Sequence, residues 1–326
     1  MKAAITGPTG HVGITLARTL LNRGHSVRAL IRGTGASLDF LPVERVHGDI
    51  GSPSALAAAF AGIDVVFHTA ARISITRRDA QATADVNVGG TRNVIEACRR
   101  AGVRRLVHFS SIEALDPFPL TSSVDEDRPW VDGRAGSPYA LSKALAEAEV
   151  KRATSEGMDA VILNPTAIIG PHDLKPSLLG RAIMAFARGS LPFLVDGGFD
   201  WVDVRDVVDS AVQAAERGTP GSRYILGGRW ASLAELAALA CEATGARPPR
   251  ITCPFPLAQA WAPLSAAFCA VTGRQPLFTG YSLRVLRGNR NVTHDRAAAD
   301  LGHTPRDLRD TVRDTCAWFR EQGWLG

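Results

Sequence analysis

The sequence predicts a doubly wound α/β fold: a parallel sheet with helices on both faces, followed by a smaller, looser C-terminal region. Three observations point to it. Short apolar runs alternate with stretches of helical periodicity through the first half of the 326-residue chain. The first run, MKAAI, leads directly into a glycine-rich turn, TGPTGHVG, and then an amphipathic stretch. After Pro165 the alternation weakens, and Gly, Pro and aromatic residues become frequent, as in GPHDLKPS and LPFLVDGGFDWVD.

Element by element, strands are expected at 2–6, 26–31, 43–47, 65–69, 106–109 and 160–163, each short, apolar and bounded by Gly, Pro, Asp or Ser. A helix is expected over 12–23, where Val12, Leu16 and Leu20 repeat at i+4 and Gly24 can supply the left-handed stop. Further helices are expected over 53–60, over 87–100 with Gly102 ending it, and over 139–151. In the second half, helices are expected over 178–188, 204–216, 233–244 and 297–301, and a strand over 224–226. No internal repeat or low-complexity tract interrupts the pattern.

Hydrophobic residues make up 45% of the chain, enough for a packed interior. The net charge of +5 is modest, and the tightest basic run, Arg99, Arg100, Arg104 and Arg105, is short, so it reads as solvated surface rather than a nucleic-acid patch. A basic balance also suits anionic ligands. Cys98, Cys241, Cys253, Cys269 and Cys316 are odd in number, widely spaced and in no CxxC arrangement, which argues against a disulfide framework or a metal site. They point to a reducing, cytoplasmic setting. Asn291-Val-Thr matches a glycosylation pattern, but nothing else suggests secretion, and the chain enters a strand at once, with no signal peptide expected. Residues 255–273 carry no charge and are long enough to span a bilayer, yet they contain Pro256, Gln259, Pro263 and Ser265. The favoured reading is a kinked apolar helix that covers a pocket or a subunit contact.

The loop between the first strand and the first helix can present backbone N–H groups and the positive helix end to a pyrophosphate. Gly7 would make the tight turn, Gly10 would let the phosphates approach, and Gly13 would let helix and sheet lie close. The second strand ends in Arg32, with Arg28 nearby, where enzymes that prefer NAD commonly carry an acidic residue. A guanidinium there suits a 2′-phosphate, so NADP is favoured and NAD remains possible. Asp49 could accept from an adenine amino group or could cap the turn before Ser52-Pro53. The expected division is a dinucleotide-binding Rossmann core over 1–165 and a mostly substrate-binding region over 166–326, with some segments returning to the core.

A second constellation suggests chemistry. Tyr139 and Lys143 are four apart, so on a helix they share a face. An adjacent ammonium lowers a phenol's pKa and makes it a usable acid or base. Ser110 and Ser111 follow the strand LVHF, at the strand end where functional groups gather in such sheets. Either could hold a substrate oxygen, and one of them could simply cap.

Taken together, TGxxGxxG, the serine after the fifth strand and YxxxK resemble the extended short-chain dehydrogenase/reductases, also called the NAD-dependent epimerase/dehydratase family. FHTAA, NVGGT and LNPTAIIGP agree, while WVDVRDVV, RYILGG and PLFTGYSLRVLRGN resemble the bacterial dihydroflavonol-4-reductase-like branch. The resemblance covers essentially the whole chain. It implies an NADP(H)-dependent oxidoreductase in which Ser111, Tyr139 and Lys143 are catalytic. Tyr139 would donate a proton to a ketone or aldehyde as hydride reaches its carbon. Ser111 would bond the developing alkoxide, and Lys143 would tune Tyr139 and bind the nicotinamide ribose. It also implies that Gly7, Thr9, Gly10, His11, Val12, Gly13, Arg32, Asp49, Ile50, Thr69, Ala70 and Ala71 bind the cofactor. Tyr139, Lys143, Pro165, Thr166 and Ile168 would complete that set, with Asn87 in a supporting or packing role. Family analogy further implies a homodimer through 87–100 and 139–151.

The substrate is not legible in these motifs. SSIE resembles the 3β-hydroxysteroid dehydrogenases, and GPHDLKPSLLGR resembles sugar epimerases. Candidate substrate-facing residues are His172, Phe193, Phe199, Trp201 and Tyr281, with packing between the regions as the alternative. A nucleotide sugar would need basic groups for its diphosphate, and Arg181, Arg188, Arg223 and Arg250 could serve. The apolar, aromatic second half favours a hydrophobic carbonyl compound as the partner molecule. A cofactor-sensing protein without catalysis is a further alternative, disfavoured by the intact Tyr139 and Lys143.

Overall fold

The computed structural model describes residues 1–74, 77–133, 136–249, 251–260, 283 and 285–325. The strands of the first half are β1 (Lys2–Thr6), β2 (Ser26–Ile31), β3 (Glu44–His47), β4 (Val65–His68), β5 (Arg105–Phe109) and β6 (Ala160–Pro165). Then come β7 (Ala167–Ile169), β8 (Phe193–Val195), β9 (Gly198–Asp203), β10 (Arg223–Leu226), β11 (Arg229–Ser232) and β12 (Ile251–Cys253). The helices are α1 (His11–Asn22), α2 (Pro53–Phe60), α3 (Ala80–Ala84), α4 (Gly90–Ala101), α5 (Pro138–Ser155), α6 (Leu178–Ala187), α7 (Val204–Arg217), α8 (Leu233–Thr244), α9 (Asp295–Leu301) and α10 (Leu308–Glu321).

Seven strands form one sheet in the order β10-β6-β5-β4-β1-β2-β3, with every pairing parallel. Alternating side chains of each strand feed opposite faces. Ala3, Ile5, Val65 and Phe67 pack with Leu16 and Leu20 of α1 and with Val207, Val208 and Ala211 of α7. Ala4, Val66 and Leu106 pack the other way, against Leu56 and Phe60 of α2 and Val94 and Cys98 of α4. The reversal of strand order between β1 and β4 opens a crevice at the carboxyl ends of these strands, the place where such sheets bind ligands.

The second half sends β10 into the sheet and packs α7 and α9 into the core on its face. A separate apolar cluster forms where α6, α8 and α10 surround Trp201, Leu236, Val312 and Phe319, under small sheets of order β11-β9-β7 and β12-β8. The small strands β7, β8, β9, β11 and β12 and the helix α10 were not among the sequence expectations.

A second departure lies before α4. Helix was expected from Asn87, but α3, a π-helical turn over Asp85–Gly89 and α4 run on from one another. The wide turn sets Asn87 inward, buried at 3% exposure. Among the described residues no helix is long and apolar enough to cross a membrane. Of the apolar stretch 255–273, the described part, 255–260, is helical, and 261–273 lies outside the described residues.

Candidate active site

The loop after β1 enters α1 with Gly10 at the N-cap, where no side chain caps the first-turn N–H groups. The glycines have distinct duties. Gly7 sits at φ 74, and a Cβ there would lie 2.8 Å from Ala70 Cα. A Cβ on Gly13 would lie 2.2 Å from the Gly7 carbonyl, so only glycine lets α1 start this close to the loop. A Cβ on Gly10 would meet only the Gly7 oxygen, at 3.5 Å, and the space beyond is open cleft. That open approach, uncapped amides and the positive helix end together fit a dinucleotide pyrophosphate.

The cleft holds about 540 Å³ and is lined by Gly7, Thr9, Gly10, His11, Arg32, Asp49, Ile50, Thr69, Ala70 and Ala71, all expected there. Val12 packs against the sheet core instead, and Gly13 serves the close approach. Thr69 Oγ1 donates to Thr6 O at 2.7 Å, which ties β4 to β1 at the base of the cleft. Asp49 closes the turn before Ser52-Pro53, accepting from Gly51 N at 2.7 Å, and it also lines the cleft. Arg28 is engaged elsewhere, donating to Ala61 O at 2.7 Å and pairing with Glu44 at 2.9 Å, so it holds the C-terminus of α2. Arg32 remains 76% exposed, with Asp49 at 3.6 Å. Ser37 and Lys175 also line the cleft and were not anticipated.

The catalytic candidates meet at the carboxyl end of β5. Ser137 caps α5, its Oγ accepting from Ala140 N at 3.0 Å, and Pro138 fills the first turn. The helix then presents Tyr139 and Lys143 on one face. Lys143 Nζ donates to Phe109 O at 2.6 Å and lies 6.0 Å from the Tyr139 ring centroid. Ser111 Oγ accepts from Glu113 N at 3.2 Å, capping the turn over Ile112–Ala114, and it also hydrogen-bonds Tyr139. Ser111, not Ser110, therefore faces the phenol; the Ser110 hydroxyl is buried and has no hydrogen-bond partner among the described residues.

Electrostatics here differ from the expectation that Lys143 would lower the Tyr139 pKa. Burial first, and then the Glu113 charge, push the phenol up, while the Ser111 hydrogen bond pulls it down. Burial pushes Lys143 down to about 8, against a smaller opposite effect of Glu147. The ammonium is held by the Phe109 carbonyl, at 2.6 Å. The Tyr139 phenol stays protonated at neutral pH, as a proton donor requires.

Asn87, expected in a supporting or packing role, and two side chains that sequence reasoning missed, Asn164 and Glu147, hold this corner together. Asn87 Nδ2 donates to Arg72 O at 3.0 Å and to Ser142 Oγ at 2.8 Å, which ties the segment after β4 to the Tyr139–Lys143 turn. Asn164 Nδ2 donates to Ser111 O at 2.9 Å and to Glu147 Oε1 at 2.5 Å. Glu147, fully buried one turn beyond Lys143, pairs with Arg223 of β10 at 3.0 Å and accepts from Trp130 Nε1 at 2.8 Å. Tyr-x₃-Lys-x₃-Glu spacing on one helix face was the available signal for Glu147; nothing local marked its partner.

Other candidates fall outside the cleft. Pro165 lies within β6, Thr166 N donates to Leu226 O at 3.2 Å, and Ile168 packs toward the sheet core; none lines the cleft. Trp201 is 2% exposed, with Nε1 donating to Ala231 O, so it is a core residue, and the half-buried Phe199 packs edge-on against it. His172 packs against Trp318 and Thr15, and burial lowers its pKa to about 4. Phe193 is 44% exposed on β8. Tyr281 and Arg250 lie outside the described residues. Arg223 is committed to Glu147 and Arg188 to the Trp324 carbonyl, which removes both from any diphosphate role.

Comparison with known proteins agrees with this geometry. The model of the "NAD dependent epimerase/dehydratase family" matches residues 3–227. "Sterol demethylase protein B" of Methylococcus capsulatus is 39% identical over the whole of both chains. A protein of Synechocystis, provisionally named a dihydroflavonol 4-reductase, is 33% identical over 98% of this chain and 95% of its own. The crystal structure of gox2253 superposes with a TM-score of 0.87 at 34% identity, covering 100% of this chain and 99% of that one. The chain is thus an oxidoreductase with its cleft at the strand-order reversal, and it belongs to the NAD-dependent epimerase/dehydratase family, the extended short-chain dehydrogenase/reductases.

Proposed function

We propose that the chain is an NADP(H)-preferring oxidoreductase that reduces a ketone or aldehyde on an apolar molecule, or oxidises the matching alcohol. The observation behind this is the convergence of Ser111, a protonated Tyr139 and Lys143 at the end of β5. When bound, the nicotinamide dinucleotide supplies the hydride equivalent. Ser111 Oγ hydrogen-bonds the substrate oxygen and holds it at the phenol. Tyr139 gives its proton to that oxygen as negative charge develops. Lys143 binds the nicotinamide ribose and steadies the charge left on Tyr139. Arg32, largely exposed just after β2, supports the preference for NADP.

Tyr139→Phe removes the proton donor and leaves the packing. It should reduce kcat by about 10²–10⁴-fold on any carbonyl the wild type reduces, followed by NADPH absorbance. A variant that keeps most of its rate would end this reading. A specific observation favours a sterol-like alcohol or ketone: the full-length relative of Methylococcus capsulatus is a sterol demethylase protein. Assay of 3-hydroxy and 3-oxo sterols beside small aromatic ketones separates the two substrate groups. Turnover of a nucleotide sugar with no net change in NADPH would support epimerisation instead.

We extend the reading to a homodimer through α4 and α5. Leu145 of α5 is 56% exposed, beside an apolar groove lined by Trp130, Leu141 and Ala148. Sedimentation of a single species at monomer mass would overturn this extension.

A further inference from the structure

Asn164 is a polar side chain on a buried strand. It sits on β6, between β5 and β10, at 0% exposure and in register with Ile225 of β10. Ile162, two residues earlier on the same face, packs among apolar neighbours. An amide at such a place must find partners or cost stability. Its Nδ2 donates to Ser111 O at 2.9 Å and to Glu147 Oε1 at 2.5 Å. Both partners are acceptors, a carbonyl and a carboxylate paired with Arg223, so only the NH2 side of the amide can face them. The Oδ1 atom is left buried, with no hydrogen-bond partner among the described residues. Two donors are thus kept in place while an acceptor goes unmet.

Neither partner has Asn164 as its sole bond. Ser111 O also accepts from Ala114 N at 3.1 Å, which closes the turn over Ile112–Ala114. Glu147 also accepts from Trp130 Nε1 at 2.8 Å and pairs with Arg223 at 3.0 Å. What Asn164 adds is a link between the two. Ser111 leaves the sheet just after the bond from Ser110 N to Leu163 O, at 2.8 Å. Glu147 lies on α5, one turn past Lys143 and two past Tyr139. One amide therefore spans from the strand end that carries Ser111 to the helix that carries Tyr139. At its other end Ser111 is also held: its Oγ accepts from Glu113 N at 3.2 Å and hydrogen-bonds Tyr139.

We propose that Asn164 is a positioning residue: it fixes Ser111 relative to α5, so that the serine hydroxyl and the Tyr139 phenol meet one substrate oxygen together. The proposal rests on the roles given above to Ser111 and Tyr139 and adds the group that sets their spacing. Asn164 acts through the Ser111 backbone, and it is not among the residues that line the cofactor cleft. Displacing a reacting group by about 1 Å costs about 10²-fold in rate. A bond that holds the serine carbonyl therefore bears on kcat rather than on cofactor binding.

Double-mutant kinetics on the full chain test this, with NADPH and a carbonyl compound that the wild type reduces. Asn164→Ala should lower kcat about 10–10²-fold and leave the KM for NADPH unchanged. Ser111→Ala should also be slow, and adding Asn164→Ala to it should cost nothing further, because both act through one hydroxyl. In case Asn164→Ala does not fold, Asn164→Ser, with one donor for two acceptors, takes its place in the cycle. Losses that multiply in the double variant would mean that Asn164 supports the fold or Tyr139 instead, and would overturn the proposal. So would full kcat in the Asn164 variant. A Ser111→Ala variant at full rate, or a wild type that reduces no carbonyl compound, would sink the reading of Ser111 itself, and the proposal with it.

Discussion

Lys143 is charged in an unfolded chain up to about 10.5 but titrates near 8 in its buried place on α5. Below pH 8 it is charged in both states, and the full burial penalty, at most about 3 kcal/mol, opposes folding. Between about 8 and 10.5 the unfolded chain binds more protons than the folded one, so stability from this residue rises with pH. Lys143→Met should therefore stabilise the fold more at pH 7 than at pH 10, read as the difference in Tm from wild type at each pH. A pH-independent difference would mean that Lys143 is not desolvated as the structure shows. The same burial acts on its neighbours. His68 is lowered to about 3, mainly by burial, while accepting or donating bonds with Thr6 and Thr91 at 2.7 and 3.1 Å. His108 is held well below its usual range, by burial first and then by His68 and Lys143. The floor of the site is thus kept uncharged around one weakly held ammonium.

Among elements, the β1–α1 joint has the tightest steric limits. Gly13→Ala would place a Cβ 2.2 Å from the Gly7 carbonyl, with Pro8 Cα also within 2.8 Å. Neither is a flexible side-chain end, so the helix must shift. The expected loss is about 1–3 kcal/mol in denaturant unfolding, with weaker dinucleotide binding in titration. Unchanged values for both would show that α1 can move without harm. The α5 helix was legible from YxxxK, and its start from Ser137-Pro138, because caps and first-turn proline are local signals. Helix α10 was equally readable in principle. Leu308, Val312, Thr315, Cys316 and Phe319 repeat at helical spacing behind the Asp307 cap, but the charged residues between them obscured it. Strands β7, β8 and β12, each three residues long, are too short for alternation to stand out.

At the scale of the molecule, a buried ion pair joins α5 to the far edge of the sheet. Arg223 of β10 bonds Glu147 and the carbonyls of Glu126 and Arg128, so α5, β10 and the 124–130 segment close around it. Glu147→Gln would leave Arg223 without its counter-charge, and breaking such a pair costs about 3–5 kcal/mol. The variant should unfold at clearly lower denaturant. It should also lose rate, since Asn164 links Glu147 to Ser111 O. A variant as stable as wild type would show that Arg223 finds water or another acceptor.

Hydrophobic period, glycine spacing and strand-end residues were enough to specify the parallel sheet, the glycine turn into α1 and the grouping of Tyr139 and Lys143 with a serine after β5. Each depends on sterics and side-chain spacing within a few residues, plus the rule that parallel strands align their carboxyl ends. Only the folded chain decided which of Ser110 and Ser111 meets the phenol, that Trp201 is core, that Arg223 is locked to Glu147, and that Lys175 reaches the cleft. Those outcomes depend on burial and on contacts between segments far apart in sequence. Glu147 and Arg223 meet because packing elsewhere brings α5 and β10 together, and no local pattern encodes that distance.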